Sequence, residues 1–203
     1  MSLFRAARIP ASRYLCTRFF DKVYAFFMYQ VPNLSFQERT IQHYEKRYGI
    51  EVLRIPHFET SVFLRYGTYR TADMSVPVLS VTDVYDWLRQ RTGIYWIAAG
   101  ERSADSIVRA AMIKHSGSID AKRGRFFPIA WWTKNDVLEY IRVKKLYLGT
   151  DYKAFGHSFR SLDGESLSIL KAKYPNDYEK VKKIYPLCEG ALTRGAAYGK
   201  NQV

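Results

Sequence analysis

Residues 99–110, AGERSADSIVRA, contain the side chains best suited to chemistry. They follow a buried apolar run, and Gly100 permits a tight turn before a helix opens. A strand–turn–helix unit of this kind presents backbone N–H groups and a helix N-terminus to an anion. Arg102 and Arg109 can pair with phosphate or sulfate oxygens through two hydrogen bonds each, and Ser106 can add a hydroxyl donor. The alternative is an ordinary turn whose charged residues are solvated.

A second basic segment covers residues 120–132, DAKRGRFFPIAWW. Lys122, Arg123 and Arg125 surround Gly124. Four aromatic side chains follow closely: Phe126, Phe127, Trp131 and Trp132. Basic residues interleaved with aromatic ones can hold a phosphate together with a stacked base. The alternative, which we favour for each of Phe127, Trp131 and Trp132, is core packing beside a solvated basic turn.

Reactive side chains elsewhere in the chain are few. The loop at residues 155–163 carries His157 and Arg160, either of which could reach a ligand, although a lone histidine in a loop is more commonly just exposed. The cysteines are Cys16 and Cys188. Two cysteines cannot form a disulfide framework or a four-cysteine metal or iron–sulfur site, so a reducing compartment is expected.

Length and composition suit one α/β domain, alone or with a short appendage. The chain has 203 residues, of which 47% are apolar. It contains no apolar run of about 18 residues, so no membrane-spanning helix is predicted. Its net charge of +13 favours a polyanionic partner such as nucleic acid, a nucleotide or an anionic membrane, the alternative being an ordinary basic protein. The first 20 residues carry four arginines and no acid, which is typical of an organelle transit peptide or of an amphipathic helix, and we favour the helix.

Strand and helix patterns alternate, which predicts an α/β sheet flanked by helices. The predicted strands are residues 22–29, 51–55, 94–98 and 125–129. The predicted helices are residues 35–48, 82–91, 104–115 and 134–143, the last capped by Thr133 and Asp136. Residues 56–80 are expected to be irregular. Beyond Tyr147 the chain becomes loop-like and then helical and Lys-rich, so we expect two parts, 1–148 and 149–203.

Three stretches together resemble the phosphoadenosine phosphosulfate (PAPS) reductase-like branch of the ATP-pyrophosphatase superfamily. They are KVYAFFMYQVPNLSFQERTIQHYEKRYGIEVLRIPH, IYWIAAGERSADSIVRAAM and RFFPIAWWTKNDVLEYIRVKKL, which span most of residues 22–146. The combination of the GERSADS turn, the basic stretch that leads to the two tryptophans and the TxxDVxxYI helix is fairly specific to this family. The tail, YPNDYEKVKKIYPLCEGALTRGAAYG, is similar to the tails of a phage and plasmid subgroup.

The resemblance implies a parallel sheet that binds an adenine nucleotide at the carboxyl ends of its strands. By motif, the nucleotide would be lined by Gly100, Glu101, Arg102, Ser106 and Arg109, with Arg123 and Arg125 as secondary phosphate or sulfate contacts. The implied cofactor is ATP or PAPS, Mg²⁺ is allowed, and an iron–sulfur cluster is not expected. The implied location is the cytoplasm of a bacterial or phage-infected cell, with organelle targeting as the alternative.

The chain departs from this family at its beginning. The family's first strand ends in a Ser-Gly-Gly-Lys-Asp-Ser-type loop that cradles phosphate, and no such sequence is present. We therefore expect the first, central strand to be missing, which would leave a gap in the sheet. A mis-started reading frame, a degenerate homologue reused for binding, and completion by a partner chain all remain open.

Three functions are consistent with these observations. The first is an adenine-nucleotide-binding protein with weak or no turnover. The second is a binding or assembly protein whose basic surface engages nucleic acid or a larger complex. The third is an ATP-dependent enzyme that transfers sulfur to nucleic acid, which the shortage of cysteines disfavours.

Overall fold

Strands and helices alternate through most of the chain. The computed structural model describes residues 2–5, 10–156, 159 and 161–192. The strands are β1 (Ser2–Arg5), β2 (Val23–Tyr29), β3 (Val52–Pro56), β4 (Ile97–Ala98), β5 (Ile119–Asp120) and β6 (Arg125–Phe126). The helices are α1 (Pro10–Phe19), α2 (Ser35–Tyr48), α3 (Phe58–Tyr66), α4 (Val81–Thr92), α5 (Ile107–Ser116), α6 (Lys134–Val143), α7 (Thr150–Phe155), α8 (Gly164–Lys173) and α9 (Pro175–Ile184), with a 3₁₀ turn at Ser103–Asp105.

The six strands form one sheet in the order β3-β2-β1-β4-β6-β5. Strand β1 pairs in parallel with β2 and β4, and β4 pairs in parallel with β6. The short edge strand β5 runs antiparallel to β6. The predicted α/β class, a parallel sheet flanked by helices with a helical C-terminal extension, is confirmed.

The expectation of a missing central strand is wrong, because β1 occupies that place. Leu3 is in register with Tyr24 of β2 on one side and with Ile97 of β4 on the other. A four-residue segment is too short to show the alternating apolar pattern of a strand. It adopts the extended conformation because both neighbouring strands supply hydrogen-bonding partners. The expected gap at this place in the sheet, which completion by a partner chain was one way to explain, is therefore filled by β1.

Strand β2 is buried on both faces of the sheet. Four consecutive residues, Ala25, Phe26, Phe27 and Met28, are buried, whereas a strand with one solvated face would alternate. On one face, Cys16 and Ala98 pack with Phe20, Val23 and Phe126. Another apolar cluster joins the turn after β4 to α5 and to the end of β6, and its buried members are Ala99, Ile113, Phe127 and Ala130.

The chain divides into two compact units. The first, here the sheet unit, comprises Met1–Met28, Glu45–Ile55 and Thr82–Leu148. The second, here the helical unit, comprises Tyr29–Tyr44, Pro56–Val81 and Gly149–Val203. The C-terminal helices thus group with two earlier segments of the chain as well as with one another.

The helical unit has its own apolar core. Tyr185 is fully buried at its centre, and the other buried members are Val31, Leu34, Phe36, Phe155, Phe159, Leu162, Leu167, Leu170, Tyr178, Val181, Cys188 and Ala191. Helix α3 lies where irregular structure was expected, and its N-cap is His57, whose Nδ1 accepts a hydrogen bond from the Glu59 N–H at 3.3 Å. Histidine is an uncommon N-cap, so no ordinary start signal precedes this helix. Among the described residues, no helix is both long and apolar enough to cross a membrane.

Candidate anion-binding site

The strand order changes direction between β1 and β4, which makes the carboxyl ends of these two strands the expected ligand position. From β1 the chain continues to β2 and β3 on one side, whereas β4 and β6 lie on the other side. In open parallel sheets, ligands bind outside the carboxyl ends of the strands at such a switch point. The residues after β1 lie outside the described part of the chain. The residues after β4 are the predicted Gly100, Glu101 and Arg102.

Backbone hydrogen bonds hold the turn after β4 against the end of β6. The Ala99 N–H donates to the Phe126 carbonyl at 2.9 Å, and the Ser103 N–H donates to the Ala130 carbonyl at 2.8 Å. The 3₁₀ turn follows at once. Gly100 has no positive φ angle, so the turn does not depend on a left-handed glycine there. The position of Arg102 is therefore fixed by the sheet on one side and by the 3₁₀ turn on the other.

Ser106 is the N-cap of helix α5. Its backbone is extended, and its Oγ accepts a hydrogen bond from the Arg109 N–H at 3.2 Å. The next backbone N–H, that of Ala110, bonds to the Ser106 carbonyl. Ile107 and Val108, in the first turn, have 89% and 78% of their surfaces exposed. The positive end of the α5 dipole is therefore open to solvent or to a ligand.

Arg102 and Arg109 share one carboxylate, that of Asp105. Arg102 donates to Asp105 Oδ1 from Nε at 3.1 Å and from Nη2 at 2.5 Å, and its backbone N–H donates to Oδ2 at 3.2 Å. Arg109 Nη1 lies 3.8 Å from Asp105 Oδ2. Two guanidinium groups face a single negative charge, so this arginine pair carries a surplus of one positive charge. The motif had identified the two arginines but not the carboxylate that orients them.

Two neighbouring polar atoms in this turn are buried without a hydrogen-bond partner among the described residues. They are Glu101 Oε2 and Arg102 Nη1. A third such atom, Ser12 Oγ, lies in the first turn of α1, the helix that follows β1. Leaving a buried polar group unsatisfied costs about 1–3 kcal/mol, and more if it is charged. The described residues supply no polar partner for these atoms, and we treat them as candidate binding groups.

The second predicted cluster, Arg123 and Arg125, gathers around Asp120 instead. Arg123 Nη1 lies 3.2 Å and Arg125 Nη2 lies 3.9 Å from Asp120 Oδ2. Burial of Asp120 opposes its charge, but hydrogen bonds from the Arg123 N–H and side chain outweigh burial and lower the pKa of Asp120. Arg125 is level with Ile97, at the start of β4, whereas Gly100 follows the end of β4. The two arginine clusters therefore lie at different levels of the sheet, and a phosphate-binding role for Arg123 and Arg125 stays a prediction.

The aromatic residues of this segment divide between core and surface. Phe127 is buried, which confirms its predicted core role. Trp131 is 63% exposed, so the prediction of core packing is wrong for this residue. Trp132 is half-buried. A cavity of about 340 Å³ opens beside both tryptophans, and the structure thus leaves one indole face free for contact.

Within the described part of the chain, the remaining reactive side chains do not extend the site. His157 and Arg160 lie outside the described residues. Cys188 is fully buried, and burial, followed by the charge of Glu189, raises the pKa of its thiol. A raised pKa lowers the thiolate fraction, which argues against a nucleophilic role. Within residues 2–5, 10–156, 159 and 161–192, no group of three or more His, Cys, Asp or Glu side chains is arranged to hold a metal ion.

The fold and this turn define an α/β protein with a cationic strand-to-helix connection at the switch point of its sheet. No family model and no curated protein matches the chain. Among solved structures, it is similar to the U34-tRNA thiolase NcsA from Methanococcus maripaludis, solved with its 4Fe–4S cluster. The TM-score is 0.48 and the identity 14%, over 93% of this chain and 71% of that chain. The sequence-based exclusion of an iron–sulfur cluster is contradicted by the cluster in this similar protein, and we withdraw it.

Proposed function

We propose that the chain binds an adenine nucleotide at the turn between β4 and α5, as a PAPS reductase-like protein would. Arg102 and Arg109 would bind the phosphate or sulfate oxygens, Ser106 would donate its hydroxyl, and Gly100 and Glu101 would line the pocket. The observation that supports this most is that two consecutive residues each carry a buried, unsatisfied atom, the acceptor Glu101 Oε2 and the donor Arg102 Nη1.

A nucleotide matches this pair because it carries both kinds of group. Its phosphates accept hydrogen bonds from a guanidinium, and its ribose hydroxyls and adenine amine donate to a carboxylate. A simple inorganic anion would satisfy Arg102 but would be repelled by Glu101. The open N-terminus of α5 adds backbone donors and a positive dipole end on the side of the phosphates.

We further propose that turnover is weak or absent. The connection between β1 and α1, residues 6–9, reads Ala-Ala-Arg-Ile and contains no glycine. In PAPS reductase-like proteins a Gly-rich loop follows the first strand and cradles phosphate with its N–H groups. Glycine is the residue that lets a backbone come closest to a phosphate in such a loop. Loss of one such donor costs about 2.7–4 kcal/mol of transition-state stabilisation, which corresponds to 10²–10³ in rate.

Calorimetric titration with ATP and with PAPS tests the proposal. The intact chain should bind at least one of them saturably, and Arg102→Ala should weaken binding by about tenfold or more, because hydrogen bonds to charged groups contribute about 1.5–3 kcal/mol. Arg142→Ala is the matched control, since Arg142 also pairs with a carboxylate three residues away, that of Glu139, but is 74% exposed. Absence of binding, or equal binding by wild type and Arg102→Ala, would contradict the proposal.

Arg102→Lys separates folding from recognition. It keeps the positive charge beside Asp105 but loses the two-pronged geometry of the guanidinium. If Arg102 binds phosphate, affinity should fall in Arg102→Lys while the thermal unfolding midpoint stays close to that of the wild type. Rapid and specific nucleotide cleavage by the pure chain would overturn the proposal of weak turnover.

A further inference from the structure

Positive charge is concentrated in the sheet unit. That unit contains 20 Lys and Arg against 10 Asp and Glu, whereas the helical unit contains 12 against 9. Ten of the thirteen surplus positive charges therefore belong to the sheet unit. A single bound nucleotide does not require a surplus of this size, and the surplus favours an extended anionic partner.

A row of aromatic side chains links α1, α6 and the segment before α6. The Trp132 and Tyr140 rings are 5.0 Å apart, and the Tyr140 and Tyr14 rings are 6.2 Å apart, both in edge-to-face contact. Trp131 precedes Trp132 and is the exposed member of the row. These four residues, Trp131, Trp132, Tyr140 and Tyr14, are called the aromatic row below.

The cavity of about 340 Å³ lies at the tryptophan end of the aromatic row. Its walls are mainly apolar, from Ile119, Phe126, Phe127, Pro128 and Ala130, and the two tryptophans complete them. Ile119, like Trp131, is 63% exposed, so the apolar surface is accessible from solvent. A flat apolar group can lie against the Trp131 indole and reach into this cavity.

Cationic groups flank the other end of the aromatic row. Lys144 Nζ lies 5.9 Å from the centre of the Tyr140 ring. Arg18 is exposed on α1 four residues after Tyr14, a spacing that places both side chains on the same face of that helix. Lys145, the next residue, is exposed.

The acids of α6 are already engaged. The Asp136 carboxylate accepts hydrogen bonds from the Thr133 N–H at 2.7 Å and from the Thr133 hydroxyl at 2.8 Å. Glu139 is paired with Arg142 at 2.6 and 2.9 Å. Among the described residues, neither carboxylate forms an ion pair with Lys144 or Lys145, and Glu139 is paired with Arg142 instead.

We propose that this surface binds single-stranded nucleic acid, with an unpaired base against Trp131 and the cavity and with the backbone phosphates on Lys144, Lys145 and Arg18. Aromatic platforms beside a cationic track are the combination that binds single strands, because stacking requires bases that are not already paired. A duplex would meet the charges but would offer no free base to the indole. The surface contains none of the residues of the β4–α5 turn. Nucleic-acid binding here and nucleotide binding there can therefore be tested independently.

Fluorescence anisotropy with labelled 12-residue oligo(U) and oligo(dT) tests the base contact. Trp131→Ala should weaken binding at least fivefold, the lower limit for losing one base–aromatic stack. Trp87→Ala is the matched control, because Trp87 is also in the sheet unit, is 46% exposed and has Arg91 5.7 Å from its ring centre. Equal affinity of wild type and Trp131→Ala, or an equal loss in Trp87→Ala, would overturn the proposed base contact.

The salt dependence tests the phosphate contacts. The double variant Lys144→Ala/Lys145→Ala should make the slope of log K against log salt shallower by about 1.4, since each phosphate contact with a single strand contributes about 0.7. Lys182→Ala/Lys183→Ala, in the helical unit, should leave the slope unchanged. A duplex of equal length that binds as tightly as the single strand would overturn the proposal.

Discussion

Ser35 and Asp177 lie 142 positions apart in the chain, yet one carboxylate oxygen of Asp177 accepts hydrogen bonds from both the N–H and the hydroxyl of Ser35, each at 2.7 Å. Ser35 is the first residue of α2, so the cap of this helix comes from α9. Asp177 is 1% exposed and also pairs with Lys180 at 2.8 Å. The beginning of α2 and the beginning of α9 are thereby joined within the helical unit.

Replacing Asp177 should destabilise the protein. Asp177→Ala removes the acceptor for two Ser35 donors and the partner of Lys180, which is itself 40% exposed and can be hydrated. We expect a loss of about 1–3 kcal/mol in the free energy of unfolding, measured by urea denaturation. Glu179→Ala is the control on the same helix, because Glu179 is 62% exposed, and it should change the value by less than about 0.5 kcal/mol. Equal stability of the two variants would contradict the structural role of Asp177.

The turn between β5 and β6 should not tolerate a side chain at Gly124. This glycine has φ +57°, and a Cβ there would lie 2.8 Å from the Tyr95 ring and 2.9 Å from Arg89 Nη2. Gly49 has φ +60° and nothing within 4 Å of the corresponding position. Gly49→Ala should cost about 1–2 kcal/mol for the left-handed backbone alone. Gly124→Ala should cost a further 1–3 kcal/mol or so from overpacking.

Thermal or urea unfolding of the two alanine variants measures this difference directly. Arg89 Nη2 also donates to the Arg123 carbonyl at 2.6 Å, and the Tyr95 hydroxyl donates to the carbonyls of Ala121 and Lys122, so neither side chain can move away freely. If Gly124→Ala is no more destabilising than Gly49→Ala, the packing around this turn is looser than the distances indicate.

The cap of α6 should make stability depend on acid pH. Hydrogen bonds from the Thr133 N–H and then from its hydroxyl lower the pKa of Asp136. A carboxyl whose pKa is lower in the folded state stabilises that state above its unfolded pKa, and this contribution is lost as the pH falls through the folded pKa. Asp136→Asn should therefore show a weaker loss of stability than wild type below about pH 4.

Urea titrations at a series of pH values between neutral and strongly acidic would measure this effect. At neutral pH, Thr133→Ala should cost about 1 kcal/mol as an N-cap deletion. Parallel pH dependence of wild type and Asp136→Asn would mean that Asp136 titrates alike in the folded and unfolded chains.

Cys188 should be unreactive in the folded protein. Its side chain is buried, and burial together with Glu189 raises the pKa of its thiol, so little thiolate is present at pH 8 and little reagent reaches it. In a Cys16→Ala background, a colorimetric thiol reagent should titrate Cys188 within seconds to minutes in urea and far more slowly without it. Native reactivity equal to that of a free thiol would restore a chemical role to Cys188.

The most regular parts of the fold could be predicted from the sequence. Helix α6 occupies the predicted residues, and both halves of its predicted cap, Thr133 and Asp136, are bonded as expected. The signal is local, since a capping residue, its partner and an apolar period all lie within one short segment. The predicted strand at 94–98 shortens to Ile97–Ala98, because only this part has ladder partners.

Features decided by tertiary contacts could not be predicted. Strand β1 depends on two neighbours that are distant in sequence, and the Asp177 cap of α2 depends on a helix near the other end of the chain. In the candidate site, Arg102 and Arg109 were predicted, but Asp105 was not. Its spacing, three residues after Arg102 and four before Arg109, was a readable signal for an ion-paired cluster. Residue types in FFPIAWW likewise could not distinguish the buried Phe127 from the exposed Trp131.

The composition of the helical unit has a consequence for how the protein is made. Val31, Leu34 and Phe36 belong to a core whose other members are residues 155–191. A ribosome adds about 5–20 residues per second, so many seconds pass between the synthesis of these three residues and that of their packing partners. The last segment of the sheet unit, which ends at Leu148, is made before those partners. During that interval the nascent chain exposes an apolar surface that chaperones recognise, and release of a chain stopped near residue 150 would leave it uncovered. This core can therefore close only after residues 155–191 have been made, and termination before residue 155 is expected to give aggregated product.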